Sequence, residues 1–90
     1  MKFAVIVVDM LKDSINRGNN TEALREAKSI IPRINRLTAR ARQSGLPVIF
    51  ANDSFLPGEF IFQGLLKEHA LRGTEGAQVT DELRQAKGDI

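Results

Sequence analysis

The sequence predicts an α/β fold, a doubly wound parallel sheet in three layers with helices on both faces, of which these 90 residues hold the N-terminal β–α–β part. Three observations predict it. Residues 3–8 are an unbroken apolar run, largely β-branched and without polar alternation. Residues 47–51 are a second such run. Between the two lies a segment with helical periodicity, closed by Gly45 and Pro47.

Taken in order, the first run comprises Phe3, Ala4, Val5, Ile6, Val7 and Val8 and ends at Asp9. Continuous apolarity means that both faces of the strand are expected to be buried, as in the centre of a parallel sheet. Residues 10–20 are polar and turn-like, with Asn16, Gly18, Asn19 and Asn20. Residues 21–28 suit a helix, and Ser29 is a candidate N-cap for a second helical stretch with Pro32 in its first turn, where amide hydrogens lack intrahelical partners. Ile31, Ile34, Leu37, Thr38 and Ala41 repeat at helical spacing, while Arg33, Arg36 and Arg40 fall on another face. Periodicity leaves open whether residues 21–44 are one kinked helix or two. The second strand ends at Asn52 and Asp53, and the crossover joining the strands is expected to be right-handed. Residues 54–78 show no clear period; a helical stretch is expected over 79–85, a turn over 87–89, and the start of a third strand at Ile90. A sheet this small needs cover on both faces, and further chain, rather than a partner, is expected to supply it.

Composition narrows the function classes. Apolar residues make up 42% and charged residues 27%, the balance of an ordinary globular protein. With no cysteine, disulfides, zinc–thiolate sites and a cysteine nucleophile are excluded within these residues. No stretch approaches the roughly 20 apolar residues of a membrane span, and the first apolar run is too short for a signal peptide and runs into Asp9. A cytoplasmic location is therefore expected. Thirteen basic and eleven acidic residues give a net charge of only +2. The arginines at 33, 36, 40 and 42 read as the solvated face of a helix, with no aromatics interleaved to stack on bases. Neither nucleic acid nor membrane is an expected partner.

Ligands of open α/β sheets bind outside the carboxyl ends of the strands. Asp9 and Asp53 lie there, and on neighbouring strands about 4.8 Å apart both could face one crevice; each also reads as a turn residue, Asp53 more so because Asn-Asp-Ser is good turn chemistry. Residues 54–78 are long for a loop and rich in Phe55, Phe60, Ile61, Phe62, Leu65 and Leu66. They are expected to pack over a substrate pocket, another subunit or the sheet's own edge. His69 is the single histidine. The Gly73-Thr74-Glu75-Gly76 turn lacks the Gly-Lys-Ser/Thr ending of a phosphate loop, and no glycine fingerprint follows the first strand, so a dinucleotide is not expected.

Three segments in register resemble one family: Ala4 to Met10, Ile30 to Leu37 running on to Ser44 through Phe50, and His69 to Ala77. Their order and spacing are similar to the isochorismatase-like cysteine hydrolases, the superfamily that includes nicotinamidases and N-carbamoylsarcosine amidohydrolases. The resemblance implies the doubly wound fold already read from the residues. It also implies an aspartate, a lysine and a cysteine acting together on a small amide, imide or isochorismate-like substrate. Asp9 matches the aspartate and would take the thiol proton as general base. The lysine would follow shortly after the third strand begins and the cysteine much later, so these residues are expected to be the N-terminal part of a single domain, truncated as that strand opens and inactive alone. Leu11 and Ser14 stand where the family carries a glutamine and an aromatic residue, so the pocket is altered. Asp53 and His69 match two of the metal ligands of nicotinamidases, but Phe55 replaces a histidine; no metal or other cofactor is expected, and Asp53 and His69 would pair with each other or shape the pocket. Ser14, Asn52, Asp53, Phe55 and His69 are the candidate pocket residues beside Asp9. The family also implies a homo-oligomer.

Two other readings compete. A phosphoacceptor receiver domain also places aspartates after its first strand and near position 53, but it needs an acidic pair where Asp9 is followed by Met10, and another β–α unit within residues 10–47. A short, non-catalytic relative would act by self-association through residues 54–78.

Overall fold

The computed structural model describes residues 2–16, 21–64 and 66–90. Strand β1 (Val5–Val8) leads through a short helix α1 (Lys12–Ile15) to α2 (Glu22–Ser29) and α3 (Ile31–Gln43), and returns as β2 (Val48–Ala51). The strands are parallel, with Val5 opposite Val48 and Val8 opposite Ala51. Ile90 lies on the far side of β2, donating to Val48 O (2.9 Å) and accepting from Phe50 N (2.8 Å), the pattern of a third parallel strand at its first residue.

Residues 21–44 form two helices. Thr21 caps α2 by accepting the Leu24 amide hydrogen at 3.2 Å. Ser29 does not cap α3, contrary to the expectation from sequence: it is the last residue of α2, and its hydroxyl donates back to Glu26 O at 2.6 Å. The break falls at Ile30 because Pro32, in the first turn of α3, has no amide hydrogen to return to Lys28. The end of α3 is a Schellman turn. Leu46 N bonds Ala41 O (2.8 Å), Gly45 N bonds Arg42 O (3.1 Å), and Gly45 takes φ +74.

The core lies between the sheet and α3. Val7, Met10, Ile15, Ile31, Val79 and Leu83 form its buried cluster, with Val5, Ala27, Ile34 and Phe50 packed against it. Each fully buried aliphatic side chain contributes about 1.5–3 kcal/mol. Alternation along the strands puts Val5 and Val7 on this covered face and Ile6 and Val8 on the other. Burial on both faces does not hold here: Ile6 and Val8 are 58% and 60% exposed, because one crossover layer covers one face.

Among the described residues of 52–90 the helical elements are two single 3₁₀ turns, Phe60–Phe62 and Glu75–Ala77. Isolated bridges hold this segment: Leu11 with Val79, and Phe55 with Leu71. The helix expected over 79–85 is absent. Asn35 on α3 donates to Glu82 O (3.0 Å) and accepts the Arg84 amide hydrogen (2.9 Å), taking the backbone groups a helix would use. Thr80, fully buried, donates to Asn16 Oδ1 at 2.9 Å. The turn over residues 87–89 is present and is tied down by Arg42, whose Nε and Nη2 reach the two carboxylate oxygens of Asp89 at 3.0 and 2.7 Å. That hydrogen bond holds the Asp89 carboxyl below its ordinary range; partial burial opposes the shift, and the Ala86 amide and the arginine charge reinforce it. Among the described residues, no helix is long and apolar enough to cross a membrane.

Candidate active site at the carboxyl ends of the strands

Asp9 is the first residue beyond β1. Its amide completes the ladder to Ala51 O (3.0 Å), and its backbone then turns left-handed, φ +56. Outside glycine that conformation costs about 1 kcal/mol, and aspartate is among the side chains that tolerate it best. The turn brings Oδ1 across to the exit of β2, where it accepts the Asp53 amide hydrogen at 2.8 Å. The strand exits are therefore stitched by a charged acceptor on a backbone donor, a stronger bond than one between neutral groups.

The two carboxylates adjoin but do not share a crevice. Asp9 lines a cleft of about 440 Å³ with Met10, Ser14, Ile15, Thr21 and Leu24. Asn52 and Asp53 line another, of about 320 Å³, with Ser54, Arg72 and Thr74. The expectation of a single crevice fails because β1 runs directly into α1 and toward α2, whereas β2 runs out toward residues 70–77. A cleft of about 480 Å³ between α3 and Glu82 and Arg84 lies away from the strand ends.

Phe55 and His69 come together in a third place. Their ring centroids are 5.6 Å apart, and Phe62 closes the cluster at 5.5 Å from each. His69 Nδ1 is 2.9 Å from Lys67 O. A carbonyl oxygen only accepts, so Nδ1 carries a proton, and in the neutral ring Nε2 holds the lone pair. The expected pairing of Asp53 with His69 is not formed: His69 bonds Lys67, and Asp53 Oδ1 accepts the Ser54 amide hydrogen at 3.0 Å. Among the described residues no three His, Cys, Asp or Glu side chains group to hold a metal.

Sequence reasoning passed over Asp13, which fastens these pieces. One helical turn beyond Asp9, its Oδ2 accepts the Ala70 amide hydrogen at 2.8 Å. Ala70 is buried and left-handed at φ +48, between His69 and the Phe55–Leu71 bridge. The carboxylate rests on the bare backbone of Gly76, where any Cβ would overlap it. Its one legible signal was an acid one turn after Asp9 in a chain that also carries a Gly-Thr-Glu-Gly turn. Lys12 adds a surface tie, reaching Glu75 and Asp81 at 3.3 and 3.5 Å.

Compared with known proteins, residues 3–90 match the family model described as the isochorismatase domain. No curated protein matches. Among solved structures, N-carbamoylsarcosine amidase from Thermoplasma acidophilum is 34% identical with a TM-score of 0.81, over 99% of this chain and 49% of that one. An isochorismatase-like hydrolase from Alkaliphilus metalliredigens is 22% identical with a TM-score of 0.77, over 99% and 50%, a likeness of fold alone. The chain thus spans about half the length of these solved structures.

Proposed function

This chain belongs to the isochorismatase domain family, and on that premise we propose that the full-length protein hydrolyses a small amide with Asp9 as general base. The observation that carries this reading is the carboxylate of Asp9, held in a left-handed turn at a strand's carboxyl end by the Asp53 amide and lining a cleft. With Oδ1 anchored, Oδ2 is the oxygen that takes a proton. The nucleophile is a thiol supplied by sequence outside these residues, which contain no cysteine, and the 90 residues alone are inactive. Asp9 removes the thiol proton, and the sulfur attacks the amide carbonyl. The leaving amine departs with that proton, and water releases the acid from the thioester. Ser14, in the Asp9 cleft, and Asn52 and Asp53 beside it contact the substrate. Phe55 and His69 act behind them, as a packed wall.

Similarity to the Thermoplasma amidase makes N-carbamoylsarcosine the first substrate to try. In the full-length protein Asp9→Asn lowers kcat on it by about 10²–10⁴-fold, with the thermal midpoint little changed. A variant that keeps most of its turnover overturns the role of Asp9.

A further inference from the structure

The cleft that Asp9 lines is apolar apart from Asp9 itself and two hydroxyl residues. Met10, Ile15, Ala23, Leu24 and Ala27 line it, and Ser14 and Thr21 are its neutral polar side chains. Three of the apolar residues come from α2. Leu24 and Ala27 are three apart, and Ala23 and Ala27 four apart, so the three share one face of that helix. No residue of α2 is fully buried, and of these three only Ala27 packs against the core cluster. The apolar face of α2 is therefore not consumed by the core.

Charge decides what such a cleft admits. Among the described residues that line it, Asp9 is the one charged side chain. A carboxylate placed there would share the cleft with Asp9, part of its hydration lost and no cation to compensate. The amino end of α2 does not offset this. Glu22 stands in its first turn, and the Leu24 amide hydrogen is already given to Thr21 Oγ1. A hydrocarbon chain gains from the same surroundings, by about threefold to fourfold in affinity for each methylene taken from water. At about 440 Å³ the cleft falls within the range for small-molecule sites, about 300–1,000 Å³.

We infer that this cleft holds the acyl group of the substrate, and that this group is the uncharged aliphatic chain of a primary amide. The thiol must lie within hydrogen-bond reach of Asp9 to lose its proton, and the carbonyl must lie against the thiol to be attacked. The chain on that carbonyl then enters the cleft that Asp9 lines. Ammonia, the leaving group, needs no pocket of its own. The acid formed ionises beside Asp9 and is driven out by the charge that excludes acidic substrates. This inference names the substrate class for the proposed amide hydrolysis and rests on it. It also sets the chain apart from the Thermoplasma amidase, whose N-carbamoylsarcosine carries a carboxylate.

The test measures kcat/KM of the full-length protein on acetamide, butyramide and hexanamide, and on adipamate, which is hexanamide with a carboxylate in place of its terminal methyl group. The expected rise from acetamide to hexanamide is about threefold to fourfold per methylene. Adipamate is expected about 10–100-fold below hexanamide, and N-carbamoylsarcosine below it too. Ala23 is exposed, so Ala23→Lys adds a cation to the cleft without disturbing the core. It should raise the ratio of kcat/KM for adipamate over hexanamide by about 10-fold. A flat chain-length series, an unaltered protein that prefers adipamate or N-carbamoylsarcosine to hexanamide, or an unmoved ratio in Ala23→Lys overturns the inference. If none of these compounds is hydrolysed, amide hydrolysis is what has failed, and calorimetric titration with hexanamide and adipamate decides the cleft separately. Tighter binding of hexanamide, with the difference narrowed by Ala23→Lys, supports it. Equal binding, tighter binding of adipamate, a difference that Ala23→Lys leaves in place, or no binding overturns it.

Discussion

The two halves of this molecule are held together by different physics. From β1 to β2 the chain is regular and is stabilised by apolar burial between the sheet and α3. From Asn52 onward its described residues carry two single 3₁₀ turns; Val79 and Leu83 reach into the core, and the rest is fastened by individual polar side chains: Asp13 on the Ala70 amide, Asn35 on the backbone of residues 82 and 84, Arg42 on the Arg84 carbonyl and the Asp89 carboxylate. A hydrophobic layer spreads its stability over many contacts and forgives small changes. A clamp concentrates it in one or two bonds whose loss strands a buried donor or acceptor. The cleft beside Asp53 draws a wall from each half, the exit of β2 on one side and residues 72–78 on the other. Its shape therefore depends on the clamps.

The largest expected effect that would break this contrast is at Gly76. Gly76→Ala drives a methyl group into the Asp13 carboxylate and should cost about 3 kcal/mol in chemical denaturation. A loss below 1 kcal/mol would mean the segment has room to give. Asp13→Ala removes the acceptor from the buried Ala70 amide and should cost about 2 kcal/mol, while Asp13→Asn, which keeps an acceptor oxygen, should recover much of it. Equal losses in both would assign the effect to charge instead.

Arg42→Gln is smaller, about 1 kcal/mol, because the pair with Asp89 is partly open to water, with side-chain exposures of 24% and 10%. Its pH dependence has a definite sign. The folded carboxyl of Asp89 is held below its unfolded value, so the pair's contribution is fully present above about pH 4 and is lost as pH falls through the lower folded value. Arg42 is shifted upward, and its own loss lies at strongly alkaline pH. The difference between Arg42→Gln and the unaltered protein should thus shrink in acid; a difference that grows there would contradict the assignment.

The smallest effect sharpens the contrast within the sheet. Val8→Ser, on the uncovered face, should shift stability of the 90-residue chain by no more than about 0.5 kcal/mol. A cost like that of Val7→Ala would reveal that something covers this face in solution.

The strands were legible because runs of β-branched residues bounded by turn chemistry leave little alternative; residues 3–8 and 47–51 contain the observed Val5–Val8 and Val48–Ala51. Asp9 was legible too, as the polar residue that ends such a run. Ser29 misled because a serine before a proline suits a cap, and nothing local says that its hydroxyl bonds its own helix. The stretch over 79–85 misled because its helical propensity is weaker than the Asn35 clamp, 47 and 49 residues distant in sequence. Asp13 and Arg72 were passed over for the same reason: an acid in a short helix and an arginine in a loop look solvated until the partner 57 or 18 residues away is known.

By itself, then, the sequence determined the order of the elements, the parallel crossover, the acid at the first strand's exit and the family resemblance, all of which depend on near neighbours and on periodicity. Tertiary structure alone decided that Asp9 and Asp53 line separate clefts, that His69 bonds a carbonyl and two phenyl rings instead of Asp53, and that residues 79–85 are not helical. Those outcomes turn on side-chain-to-backbone bonds and on backbone twists such as the left-handed Asp9, whose energies of about 1–3 kcal/mol exceed local propensity and leave no trace in local pattern.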